Sequence, residues 1–282
     1  MSAPTRLAAL SLVARQEIAL AVRSRWTAIF AGVFALLAVG VAASGYVLSG
    51  GSGFEDFART SVSLVQLVVL VVPLAALVMG VLAVAPERGT AELLFSQPIG
   101  RGVVLLGQLA GLFVALSAAE LIGFGAAGLV VFLNAGEEGA GAYFLLVLGA
   151  VLLTAVFLAI AALVGAGAVG RKRTRALALA LVVWFAATVL VDVAALGVAT
   201  LLRSTAASRL LVASVVVNPA SAIRVGSLLA VQGTAAFGAA SLALLRLTGG
   251  PVGAALLLCA SVLAWIVLPI AAAVYRLRRI DL

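Results

Sequence analysis

The chain has 282 residues, 65% of them hydrophobic and only 10% charged, with a mean hydropathy of +1.30. A soluble domain carries about 25% charged residues, which excludes a water-soluble domain of any size. The net charge of +8 does not point to nucleic acid, because its cations are nearly all arginines at the ends of apolar runs, as at membrane flanks.

Histidine is absent and the single cysteine, Cys259, lies in an apolar run. A disulfide framework, a Cys/His metal site, a Ser-His-Asp triad and an HExxH zinc site are therefore excluded. No catalytic residue and no metal site is expected.

Residues 1–25 carry Arg6, Arg15, Glu17, Arg23 and Arg25. That segment is too long and too charged for the n-region of a signal peptide. Six apolar runs follow, at 26–49, 61–85, 103–133, 142–170, 176–202 and 251–275. About 20 residues at about 1.5 Å each cross a hydrocarbon core of about 30 Å. Lipid accepts only segments that satisfy their own backbone, so the runs predict an all-α integral membrane protein with six transmembrane helices. The third run exceeds the need and is expected to tilt, bend near Gly123 and Gly125, or project.

With both termini inside, thirteen of the eighteen Lys and Arg fall on the cytoplasmic side and five outside. Four of those five lie in 203–250, where the charge rule is weak. This predicts cytoplasmic termini in a bacterial or archaeal inner membrane. Trp26, Tyr46, Tyr143 and Tyr275 stand at span ends as interfacial anchors, and Pro73 and Pro269 lie inside spans.

The second cytoplasmic connection, 86–102, reads as a short capped helix. Thr90 caps it after Gly89, Glu92 suits its first turn, Leu93, Leu94 and Phe95 form an apolar knob, and Pro98 stops it. A knob on so short a loop packs on something else: the protein's own helix ends, the membrane surface or another subunit. No Walker A loop exists, since the only lysine, Lys172, lacks its glycine frame. The chain therefore cannot bind ATP in the usual P-loop way, and no cofactor is expected in it.

Two GxGxxG matches, at 123–128 and 165–170, lie inside apolar runs and read as small residues for close helix approach, not nucleotide sites. Glu120 and Asp192 are acids inside apolar runs. Each is a candidate for a translocation path or, more blandly, for a polar contact between helices. Neither has a cation nearby in sequence.

Segment 203–250 is expected to be extracytoplasmic or interfacial. A seventh span at Val225–Leu245 would put Arg276, Arg278 and Arg279 outside. Within the segment Leu210–Val217 is an apolar run stopped by the turn signal Asn218–Pro219.

The connection Glu87-Arg88-Gly89-Thr90-x-Glu92-Leu93-Leu94-Phe95-Ser96-x-Pro98-x-x-Arg101 resembles the loop between the second and third spans of ABC-2-type (type V) exporter permeases. The N-terminal Arg15-Gln16-Glu17 followed by Arg23-Ser24-Arg25-Trp26 is similar to that family's entry to its first span. The resemblance implies a coupling helix seated on a separate ATPase subunit, a homodimer of permeases, and an elbow helix bearing Arg15, Glu17, Arg23 and Arg25. Its helical wheel alone does not identify the elbow as amphipathic.

A narrower similarity is to the permease branch serving nitrous oxide reductase maturation. It rests on Leu121–Gly125, Val183-Trp184-Phe185 with Asp192, Asn218-Pro-Ala-Ser-Ala-Ile-Arg224, and the Arg-rich tail after Trp265. Asp192 matches the branch pattern and Glu120 departs from it. This similarity implies that 203–250, with Arg203, Arg209, Asn218, Pro219 and Arg224, docks a periplasmic protein.

Soft copper ligands amount to Cys259, Met79 and the initiator methionine, too few for a copper relay. The expected role is to pass a non-metal species or to transmit force. The rival readings are a proton-coupled secondary transporter using Glu120 or Asp192, which lacks an apparent inverted repeat, and a non-transporting mechanotransmitting scaffold.

Overall fold

A computed structural model describes residues 5–47, 54–85, 100–135, 140–167, 173–232 and 239–279. The described residues are almost entirely helical. The expected coupling residues Glu87, Arg88, Gly89, Thr90, Glu92, Leu93, Leu94, Phe95, Ser96 and Pro98 lie outside them.

Helix α1 is Arg6–Arg23, begun by Thr5, whose hydroxyl accepts the Ala8 amide at 3.3 Å. Ser24 alone separates it from α2, Arg25–Val47. The Ser24 amide closes α1 on Ala21 O, and its carbonyl accepts the Ala28 amide, both at 3.1 Å. A single extended residue thus serves both helices.

Helices α3 (Phe54–Val84), α4 (Arg101–Ala135) and α5 (Ala140–Ala166) follow. Arg173–Phe185 (α6) runs through one π-helical turn, 186–190, into α7, Val191–Leu201. Three shorter helices come next: α8 (Ser204–Val217), α9 (Pro219–Gln232) and α10 (Ala239–Thr248). Pro251–Arg279 forms α11.

Six spans meet the requirements of length and hydropathy: 25–45, 59–84, 101–133, 140–166, 173–201 and 251–279. These are the six expected runs with ends moved by a few residues. The long third run is one unbroken helix of 35 residues.

More than half of the membrane window is buried in α3, α4 and α5, at 56%, 56% and 61%, against 17% in α6–α7 and 22% in α11. The core therefore sits on α3–α5, where Phe124 and Phe157 are fully buried and Phe34 reaches in from α2. Glycine lets these helices close. A Cβ at Gly80 would stand 2.6 Å from Ala161 Cβ, and one at Gly165 2.8 Å from Val84 Cβ. Gly123 and Gly128, of the refused nucleotide pattern, face Phe34 and Tyr143 just as closely, which is the packing use of small residues in membranes.

α9 does not lie on the outside of the bundle. It turns back from α8 by 102° and packs against α3, α5 and α11. Gly149 of α5 makes room for Ser227 of α9, whose hydroxyl would meet a Cβ there at 2.6 Å. Part of segment 203–250 is thus packed against three of the spans. At 14 residues α9 alone is too short to cross a membrane, whereas α8 and α9 together have the length and hydropathy of one bent span.

Candidate functional site

The end and the middle of α3 are tied to different partners. At the arginine-bearing end, the last carbonyls of α3 have no donors within the helix. Arg173 of α6 donates to Leu82 O at 3.1 Å, and Gln108 of α4 to Ala83 O at 3.4 Å. Arg101, expected on the coupling loop, donates to Leu277 O at 3.1 Å and so ties the start of α4 to the last turn of α11. The connection 86–99 thus leaves and re-enters the fold at points held by three other helices.

α1 lies along α4 at this same end. A Cβ at Gly107 would touch Val13, and one at Gly111 would touch Ala14 O and Glu17. Burial there raises the Glu17 carboxyl above its ordinary range. Arg15, Arg23 and Arg25 are exposed.

Farther along α3, Pro73 has no N–H for Val69 O, and proline disturbs the carbonyls one turn before it. Leu70 O of that turn accepts the Trp184 indole N–H of α6 at 2.9 Å. The π-helical turn begins two residues after Trp184. Such a turn leaves carbonyls out of helical register, and side chains take them. Thr188 donates to Trp184 O at 2.7 Å, and Asn218 Nδ2 to Ala187 O at 2.6 Å.

Asn218 is the pivot of the α8–α9 break. Its Oδ1 accepts the Ala220 amide at 3.2 Å, the N-cap role, with Pro219 as the first helical residue. Its Nδ2 also donates to Ser221 Oγ at 2.9 Å, and Ser221 donates to Asp192 Oδ1 at 2.5 Å. Arg224, one turn on, places Nη1 2.6 Å from Asp192 Oδ2. The last carbonyls of α8 are capped from α11: Ser261 donates to Val216 O at 2.5 Å and Trp265 Nε1 to Val217 O at 2.9 Å. Three backbone irregularities, in α3, α6–α7 and α8–α9, are therefore joined by one chain of side-chain bonds.

The sequence-derived site residues divide accordingly. Asp192 has a cationic partner after all, Arg224, 32 residues downstream and beyond the reach of local pattern. Asn218 and Pro219 are buried, and Arg224 is only 22% exposed, so these three face the bundle. Arg203 and Arg209 are exposed. Glu120 has no exposed surface and accepts the Thr154 hydroxyl across α4–α5.

Sequence reading missed Trp184 and Trp265 as donors, and Ser221 and Ser261 as bridges. The break at Asn218–Pro219 was the available signal, since a helix stopped among spans needs donors for its last carbonyls.

Comparison with known proteins agrees with this architecture. The family described as ABC-2 family transporter protein matches residues 11–282. A protein of Pseudomonas aeruginosa named "Probable ABC transporter permease protein NosY" is 35% identical over 237 residues, covering 82% of this chain and 86% of that one. Its namesake from Stutzerimonas stutzeri is 36% identical over 262 residues, covering 90% and 92%. The chain belongs to the ABC-2 family and is a multi-pass permease of the cytoplasmic membrane, similar to both proteins.

Proposed function

We propose that this chain couples ATP hydrolysis in a separate ATPase subunit to motion of its own helices across the membrane. It acts as a homodimer with both termini and 86–99 in the cytoplasm. ATP and magnesium sit in the partner, and the apolar knob Leu93-Leu94-Phe95 docks on that partner.

The observation that carries this reading is the bonding of α3. The helix leads directly into 86–99, is held at Leu82 and Ala83 by α6 and α4, and about 18 Å back along its axis is bonded to Trp184. A displacement at the arginine end has a continuous route through Leu70, Trp184, Ala187 and Asn218 to α9. ATP shifts the helices only to the extent that it binds the two arrangements with different affinity.

The work done is export or force transmission. The branch similarity suggests that it serves maturation of the copper enzyme nitrous oxide reductase. The few soft ligands, Met79 on α3 and Cys259 on α11, favour force or a non-metal cargo over copper passage. A periplasmic partner would meet the exposed arginines Arg203 and Arg209. Against a proton-driven carrier, Asp192 is engaged by Arg224 and Ser221, and Glu120 is sealed beside Thr154.

The test is to cut Leu93, Leu94 and Phe95 back to alanine in the native complex. Membrane insertion should persist while binding of the ATPase subunit is lost. Assembly and ATP-dependent function at the native level in that variant would defeat the proposal.

A further inference from the structure

The arginines at the Arg-bearing end differ in what they touch. Arg101 and Arg173 donate to helix-terminal carbonyls, and Arg279 lies 4.4 Å over the Tyr275 ring. Arg175 and Arg276 are exposed and make no hydrogen bond or ion pair with any described residue. Yet they share one groove of about 390 Å³ between α5, α6 and α11.

Apart from the two arginines, that groove is hydrocarbon and one glycine. Leu163 and Val164 line it from α5, Ala176 and Leu179 from α6, and Gly167 lies between. A Cβ at Gly167 would stand 3.3 Å from Arg276 Nη1, so the glycine keeps the guanidinium side open. Arg175 and Leu179 are four residues apart, about 6 Å along α6. The groove thus presents paired cations at a span end and an apolar wall one helical turn deeper.

We propose that this groove seats one anionic phospholipid. Its phosphate lies between Arg175 and Arg276, and the upper part of an acyl chain runs along Leu163 and Leu179. Two guanidinium groups at the rim of a low-dielectric slab repel each other, and an anion between them reverses the sign of that interaction. A free phosphate would engage the arginines and leave the apolar walls without a partner. Basic pockets between spans are a recurrent form of lipid headgroup site. The proposal does not depend on the coupling role, because neither 86–99 nor an ATPase enters it.

Native mass spectrometry of the full-length permease tests this, released from micelles doped with phosphatidylglycerol, with phosphatidylcholine, or with inorganic phosphate alone. Selective retention of phosphatidylglycerol is expected. At about fivefold per arginine, the double variant Arg175→Gln/Arg276→Gln should retain it about 25-fold less. Leu179→Trp, which fills the apolar half and leaves both charges, should also lower retention. Arg278→Gln should leave it unchanged. Arg175→Lys/Arg276→Lys should keep most of it, and with Leu179→Trp decides the matter if the glutamine variant fails to fold.

Equal retention in the glutamine and wild-type proteins would overturn the proposal. So would an equal loss in Arg278→Gln, or phosphate binding insensitive to Leu179→Trp. Loss of ATPase binding with lipid retention intact would assign the arginines to a protein contact and likewise overturn it.

Discussion

The α3–α5 core and the α6–α9 junction hold helices together in opposite ways. In the core, glycines at 80, 123 and 165 bring backbones close and aromatic rings fill the gaps, with Phe34 and Phe124 meeting edge to face at 5.3 Å. Dispersion does the work there, and it needs close-packed, unchanging surfaces. In the junction α6–α7 is only 17% buried over its span, and irregular backbone is joined by side-chain donors instead. Hydrogen bonds and one ion pair can exchange partners, whereas interlocked side chains cannot slide. On the proposed coupling role, the core would supply stability and the junction would be where the helices move.

The largest expected effect comes from orphaning a charge in the junction. Asp192→Ala leaves Arg224 without its carboxylate and should cost on the order of 2–3 kcal/mol, read as a fall in the thermal midpoint of the purified permease. Both side chains retain some exposure, 22% and 27%, which keeps the cost below the ~3–5 kcal/mol of a fully buried pair. Replacing both partners, with Asp192→Leu and Arg224→Met, should recover most of that stability. Failure to recover would mean that the pair does more than neutralise itself.

In the core, Gly80→Val forces a side chain against Ala161 and Leu158 and should cost about 1–3 kcal/mol in the same assay. Gly40→Ala on α2 meets nothing within 4 Å and should be neutral or stabilising by up to about 1 kcal/mol. A large loss at Gly40 would show that α2 packs on a second copy, which would sharpen the homodimer reading.

Trp265→Phe keeps the ring's bulk and removes only the donor to Val217 O, for about 1 kcal/mol. Hydrogen exchange should then rise at 214–222 and not in α5. A uniform rise would contradict the division into two regions.

The smallest effect lies outside both. Burial raises the Glu17 carboxyl, so its folded pKa exceeds its unfolded one. The docking of α1 on α4 is then fully supported below the unfolded value and weakens as pH rises through the folded value. Hydrogen exchange over 6–23 should increase with pH in the wild type, beyond the intrinsic rate. Glu17→Gln should flatten that increase.

The six spans were legible because every residue in an apolar run carries the same signal, and errors at the ends average out. The packing use of Gly123, Gly128 and Gly165 was equally legible, since small residues inside apolar runs let helices approach closely. The junction was not. Asp192 and Arg224 look like an acid in a path and a cation on an outer surface until folding brings them together. Ser221, Arg224 and Ser227 make α9 look like a surface helix, although it packs against α3, α5 and α11, where Gly149 admits Ser227. The π-helical turn at 186–190 has no marker in composition, and Trp184 reads as an ordinary apolar residue until Leu70 O stands beside its indole.

The central claim is that α9 moves because α3 is bonded to it through Trp184 and Asn218. It is tested most directly by hydrogen exchange over 219–232 in the assembled complex, with and without ATP, in the wild type and in Asn218→Ala. An ATP-dependent change is expected in the wild type and should be lost in the variant, with nucleotide still bound by the ATPase subunit. The same ATP-dependent change in both proteins would contradict the claim.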